Sequence, residues 1–471
     1  MRKIFCIIFC LSISACKVGP DYVAPEFSFE ESWNNEESEK IGGSEEVNLQ
    51  WWRVFNDTML NSLINDAVIY NHDIRIAASN VGRAKILRKE SKSAFFPSLG
   101  AGGAGTKQGL SNRLNSSYNN SGAKERDGFS ADLDAGWELD IFGGIRRDVE
   151  AANADFAASK ENRNAVLLSV LAEVSRNYFE VRGLQKRIKI KQKNIKLLKQ
   201  VEALAAEQFK HGATTDFNLA LARGEREITE AVIPNLEAEL RAGIYRLSVL
   251  TGKTPDTHLE LLSKYESLPT PPDVVPVGLR SEIMRRRPDV VKSERELAAK
   301  TARIGVAVAD LFPKFSLTGA IGTSAQLFSD LFTGGAVTYA LGNNISWSLF
   351  EGGALRARIS AAEYDAEAAL INYEKTVLNA LEEVEASLTR YGKEWQTFKL
   401  LRAAEKTRRD AFNIVKLRYE EGEEGFLSLL ESERSLIATE DSVVQSEARI
   451  LTSLTQLYKS LGGGWEKFGE L

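Results

Sequence analysis

The chain has 471 residues, 43% hydrophobic and 27% charged, with a formal net charge of -5. That length can bury large cores, and the charge balance argues against a nucleic-acid binder. Only three histidines occur, and the three cysteines all fall within the first sixteen residues, so metal or thiol chemistry in the body of the chain has little to work with.

Arg2-Lys3 precede an apolar stretch from Ile4 to Ile13, followed by Ser14-Ala15-Cys16. A basic start, a short apolar core and small residues before a cleavage point read as a signal peptide over residues 1–15. The stretch is too short for a hydrocarbon core that needs ~20 residues. Ile13-Ser14-Ala15-Cys16 resembles a bacterial lipobox, which makes Cys16 the acylated first residue of the mature chain; an ordinary cleavage site with an incidental cysteine is the alternative. Residues 16–48 are acidic and rich in Ser, Asn and Gly, as in an extended tether.

A helix is expected through Leu60, Leu63, Ile64, Ala67, Ile74, Ala77 and Val81, ending at Phe95-Phe96-Pro97. Strands follow. Phe129, Ala131, Leu133, Ala135, Trp137, Leu139 and Ile141 alternate with Ser130, Asp132, Asp134, Gly136, Glu138 and Asp140. A weaker alternating run begins at Leu99. From Arg146 to about Lys210 there is no proline, and a continuous helix would reach ~95 Å. His211 to Asp216 supplies a turn and an N-cap, and a second helix returns to Leu250-Thr251-Gly252, with Pro234 expected to kink it.

The pattern then repeats. Trp137 to Gly144, followed by Arg146-Arg147, returns as Trp347 to Gly353, followed by Arg356 and Arg358, roughly 210 residues later. The later copy has strands through Phe315–Ile321 and Tyr339–Leu349, a helix from Ala354 to Tyr419, a turn at 420–425 and a return to Leu461-Gly462-Gly463. The halves are residues 49–254 and 279–465, with a proline-rich joint at 255–278 and a tail at 466–471. The fold class is α+β, mainly α: a duplicated strand pair plus long coiled-coil hairpin. A soluble sandwich with one wet face would alternate equally well. The export signal and the want of other strands turn the reading to a membrane barrel. Four strands cannot close one, and an open edge is forbidden in lipid, so copies must combine: two give eight strands, three give twelve.

Enzyme chemistry is not legible. Gly100 to Lys107 misses a phosphate-binding loop because the lysine follows the threonine and no helix follows. Lys186 to Lys199 forms a basic run read as a solvated face, with an acidic partner as second choice. No cofactor or metal is expected.

Cys16-Lys17-Val18-Gly19-Pro20-Asp21-Tyr22, Arg287-Pro288-Asp289-Val290, Ile304-Gly305-Val306-Ala307, Leu311-Phe312-Pro313 and Leu461-Gly462-Gly463-Gly464-Trp465 together resemble the TolC-like outer-membrane efflux family, in its OprM-type (NodT) lipoprotein branch. The resemblance implies a homotrimer with a 12-stranded outer-membrane β-barrel and a periplasmic α-helical barrel. It also implies an exit duct for small molecules such as drugs, served by a periplasmic adaptor (membrane fusion protein) and a proton-driven inner-membrane efflux pump. A type I protein-secretion duct and a pore-less coiled-coil lipoprotein are the alternatives. By the same resemblance Thr215, Asp216, Arg418, Tyr419, Leu427 and Glu431 form a periplasmic gate, with a Tyr419–Asp216 latch, an apolar Leu427 ring and an acidic Glu431 ring. The family's usual aspartate is replaced at Glu431, and Ser428 stands where some members carry another acid. Coiled-coil packing is the plainer role for Tyr419, and an exposed helix-surface carboxylate the plainer role for Glu431.

Overall fold

The computed structural model describes residues 17–27, 30, 32–34, 40–42, 49–109, 125–212 and 214–468. In chain order the elements are β1 (Ile41–Gly42), α1 (Thr58–Tyr70), α2 (His72–Ser93), β2 (Ser98–Gly109), β3 (Glu125–Leu139), α3 (Gly144–Lys210), α4 (Asp216–Leu250) and the short α5 (Leu259–Leu262). Then come β4 (Val275–Pro276), α6 (Arg280–Arg286), α7 (Pro288–Ala309), β5 (Lys314–Ala325), β6 (Val337–Ser346), α8 (Ala354–Glu420) and α9 (Phe426–Ser460).

The duplication is metrical. Helices α3 and α8 have 67 residues each, and α4 and α9 have 35 each. The turns between them break at Gly212 (φ 73°) and Gly422 (φ 78°), a left-handed conformation that glycine adopts without a Cβ penalty. Helix α4 runs on through Pro234.

The chain divides into two compact units. One comprises the N-terminal stretch to Pro25 with Val81–Ala158 and Ser293–Tyr373. It holds a four-stranded antiparallel sheet ordered β2-β3-β5-β6. Register places Ala101, Leu133, Ile321 and Tyr339 in one row, and Gly102, Asp132, Gly322 and Thr338 in the next. Directly opposed residues share a face, so one face is apolar and the other polar or small. The repeated tryptophan closes each strand pair: Trp137 Nε1 donates to the Phe95 carbonyl at 3.0 Å, and Trp347 Nε1 to that of Leu311 at 2.9 Å. Asp140 caps α3 by accepting from the amides of Ile145 (3.1 Å) and Arg146 (3.0 Å).

In the same unit the residues just after Cys16 are clamped. Arg147, 1% exposed, donates to the carbonyls of Val18 (2.9 Å) and Gly19 (2.8 Å) and pairs with Asp21 and Glu150, each at 3.0 Å. Gly19 has φ 82°, and a Cβ there would lie 2.4 Å from the Gly305 Cα. Two of the sequence motifs are therefore one contact, glycine against glycine beside a buried arginine.

The other unit comprises Glu26–Asn80, Ser159–Lys292 and Glu374–Leu471. The tether expected at 16–48 is extended but not free in its described parts. Trp33 is buried and donates to the Gly278 carbonyl at 3.0 Å, and β1 pairs in parallel with β4. Two further motifs pack together here. Arg287 holds Asp289 at 2.7 Å, Glu383 at 2.8 Å and the Ser460 carbonyl at 3.0 Å. A Cβ on Gly462 would meet that arginine, and Trp465 Nε1 donates to the Arg286 carbonyl at 3.2 Å.

The basic run does not face only water. Lys186 pairs with Glu447, Arg187 with Asp441 (3.0 Å) and Lys199 with Glu230 (3.3 Å), while the Lys189 ammonium sits 3.8 Å over the Tyr265 ring. The acidic partner is the chain's own neighbouring helices. An isolated helix offers no sequence signal for which charges it will meet across a bundle.

Candidate functional site: the hairpin tips

The tips of the two hairpins lie in the second unit. Their turns place Thr215 and Asp216 at the start of α4 and Arg418 and Tyr419 in the last turn of α8; Leu427 and Glu431 lie in the first turns of α9. Beneath the turns lies an apolar cluster: Val201 and Ala205 from α3, Ala222 from α4, Phe412 and Tyr419 from α8, and Phe426, Leu429, Leu430 and Leu436 from α9. The return helix α9 supplies its share because positions 426, 429, 430, 433, 436 and 437 fall on one helical face.

Of the residues expected at a gate, Tyr419 alone belongs to that cluster. Its ring meets Phe426 edge-on at 5.8 Å, and its hydroxyl donates to Gln208 Oε1 on α3. Burial pushes the hydroxyl above the ordinary tyrosine pKa. Within one chain the partner of Tyr419 is thus Gln208, not Asp216. Asp216 and Thr215 are exposed, and Thr215 occupies the N-cap without a side-chain capping bond. Arg418 reaches Glu423 at 3.7 Å and Glu424 at 3.9 Å, loose contacts on an exposed side chain. Leu427 is 59% exposed and Glu431 is exposed, so both are presented outward rather than packed. Cys16 lies outside the described residues.

Two side chains of this region carry no sequence motif. Gln208 takes the position in the first repeat that Arg418 holds in the second, 210 residues on. Glu433 is 0% exposed on the apolar face of α9. The signal for Glu433 was present: an acid three residues after Leu430 and three before Leu436 sits on the stripe. Gln208 gave none, because the pairing of α3 with α8 depends on the bundle.

The sequence profile described as Outer membrane efflux protein matches residues 63–253 and 279–463. The chain belongs to that family. Nodulation protein T of Rhizobium leguminosarum bv. trifolii is 28% identical over 457 residues, 97% of this chain and 96% of the relative. Cation efflux system protein CusC of Escherichia coli O6:H1 is 27% identical over 98% of both chains. The solved structure of the outer-membrane channel OprN is 32% identical, superposes with a TM-score of 0.89 and covers 96% of this chain and 100% of its own.

As an outer membrane efflux protein of the NodT/OprM type, the chain is an efflux channel of the outer membrane. The two profile segments coincide with the two halves that repeat the strand pair and hairpin. No helix among the described residues is long and apolar enough to cross a membrane. On the apolar face of the sheet, Leu99, Tyr339 and Leu341 are more than three-quarters exposed.

Proposed function

We propose that this efflux protein is the exit duct of a tripartite export assembly, anchored by acylated Cys16, with three copies closing a twelve-stranded barrel. The observation that carries the reading is the sheet's order. Its outer strands, β2 and β6, are both unpaired on one side among the described residues, and run in opposite directions. Head-to-tail copies can therefore join β6 to β2 antiparallel, and closure removes the edges that lipid forbids. A periplasmic adaptor and a proton-driven inner-membrane pump would dock on the hairpin tips and deliver small molecules. Nothing in this duct calls for a catalytic role.

Thr215, Asp216, Arg418, Tyr419, Leu427 and Glu431 are the proposed gate. Asp216 presents an exposed carboxylate and Leu427 an exposed apolar side chain, both suited to contacts with neighbouring copies. Three-fold symmetry would gather three Glu431 carboxylates at the axis, a triple charge favouring cations at the constriction.

The test is crosslinking in cells from Glu421→Cys with a bifunctional thiol reagent, followed by mass spectrometry. Cys16 is blocked if acylated, so the new thiol is the single reactive site. Capture of an adaptor from a proton-driven drug or metal pump is the expected result. Capture of an adaptor from an ATP-driven exporter would replace this reading with protein secretion. Efficient labelling without any adaptor would leave the pore-less scaffold.

A further inference from the structure

Most buried charges of the hairpin unit are matched. Arg287 holds Asp289 and Glu383, and Glu440 takes Arg409 at 2.6 Å. Among the described residues Glu433 is the exception. It is fully buried on the apolar face of α9, and neither carboxylate oxygen has a hydrogen-bond partner. An ionised carboxylate in such a place costs several kcal/mol, so the group is held neutral or the packing yields.

Its surroundings say which. From α9 itself come Leu429, Leu430 and Leu436; α3 contributes Val201 and Ala205 to the same cluster. The charged groups acting on Glu433 are Glu225 on α4, which disfavours its ionisation, and Lys416 on α8, which favours it weakly. Glu225 is itself occupied by Arg434 at 3.2 Å, and Lys416 stands 3.9 Å from Glu420. Tyr419, the remaining titratable group of the cluster, is committed to Gln208. Among the described residues none is placed to hydrogen-bond the carboxylate, and Lys416 acts only from a distance.

We propose that Glu433 is a proton-sensitive latch: protonated, it keeps α9 packed against the tip cluster, and its ionisation loosens that packing and favours the open tip. This rests on the duct reading above. The repeat supports a special role, because the position 210 residues earlier is Arg223, an ion-pairing residue on Glu202 at 3.3 Å. The latch is therefore built into the second hairpin only.

The direction follows from linkage. Burial first, and Glu225 second, push the Glu433 carboxyl up to about 7 in the packed state. The packed form's advantage is complete below the ordinary carboxylate pKa and is lost as pH rises through the raised value. With a solvated carboxyl in the open state, the open-to-packed ratio should rise about tenfold per protomer between pH 6 and 8.

The experiment uses the full-length acylated protein. Open probability in planar bilayers is recorded from pH 5.5 to 8.5 for wild type, Glu433→Gln and Glu433→Leu. In parallel, amide exchange of residues 426–437, corrected for the intrinsic rate, reports packing without requiring conduction. The expected result is a rise in openings and in exchange for wild type, with both variants flat at the low-pH level. A wild-type exchange profile that is flat, or a Glu433→Gln profile that copies the wild-type rise, overturns the latch. A Glu433-dependent change in exchange in a protein that never conducts would instead sink the duct reading and leave the latch standing.

Discussion

At the residue scale, the motifs that mark this chain in sequence prove to be contacts between distant segments. Gly19 is required because its Cβ would collide with Gly305, and Gly305 because its own would meet Arg147. Arg147→Met would remove the donors to two backbone carbonyls and expose the neighbouring Glu150 to Lys17 alone. The local cost should be about 2–4 kcal/mol, felt as undocking of the N-terminal stretch. Trypsin cleavage after Lys17 should then accelerate at least about tenfold, followed by mass spectrometry as loss of the segment that ends at Lys17. An unchanged rate would mean the clamp contributes nothing to holding that stretch in place. At the tip, Tyr419→Phe keeps the ring against Phe426 and removes only the bond to Gln208. Thermal stability should fall by about 1 kcal/mol or less, while spontaneous channel openings increase. If Tyr419 serves packing alone, the openings stay as in wild type. These contacts were half legible. The glycines and arginines stood out as motifs, but which motif touches which is a property of the fold, and Gln208 and Glu433 carried no motif at all.

At the scale of elements, periodicity was the strongest guide. A proline-free run flanked by glycine turns announced α3, and the returning tryptophan motif announced its twin. The strands were legible for the same reason: period-two alternation survives because one face must be apolar. What periodicity could not give was the partner of each helix: the basic run on α3 keeps Lys193, Lys196 and Lys199 exposed, as expected of a solvated face, but also pairs Lys186 and Arg187 with α9 and Lys199 with α4. The twins also differ usefully. Helix α4 carries Pro234 where the matching position of α9 is the buried Val444. Proline lacks the amide and its ring crowds the carbonyl one turn back. Pro234→Ala should therefore stabilise the hairpin by about 1–3 kcal/mol, read as a higher thermal midpoint by circular dichroism. A lower midpoint would show that the bundle is fitted to the proline's geometry.

At the scale of the whole molecule, the decisive fact is that among the described residues the sheet leaves both outer strands, β2 and β6, unpaired on one side. Its polar face carries Asp132 and Asp134 on β3, opposed in register by Gly102 and Gly100 on β2 and by Gly322 and Ala320 on β5. Small residues beside the acids leave that face open, as the inside of a conducting barrel requires. In the proposed barrel the other face would bear lipid, and its central row includes Leu341, 88% exposed and directly opposite Gly319. Arginine at such a site near the bilayer centre costs about 2–4 kcal/mol per strand, and three-fold closure would triple the penalty. Leu341→Arg should abolish oligomers captured by chemical crosslinking in outer membranes, while Thr338→Arg on the polar face should leave them intact. The pair separates two explanations that a single variant would confuse. If both substitutions are tolerated, the apolar face is not in lipid. If both fail, the sheet cannot accept arginine on either face and the assignment of sides is lost. Loss at Leu341 alone would place the apolar row against lipid, and would make closure by neighbouring copies the only way to satisfy β2 and β6.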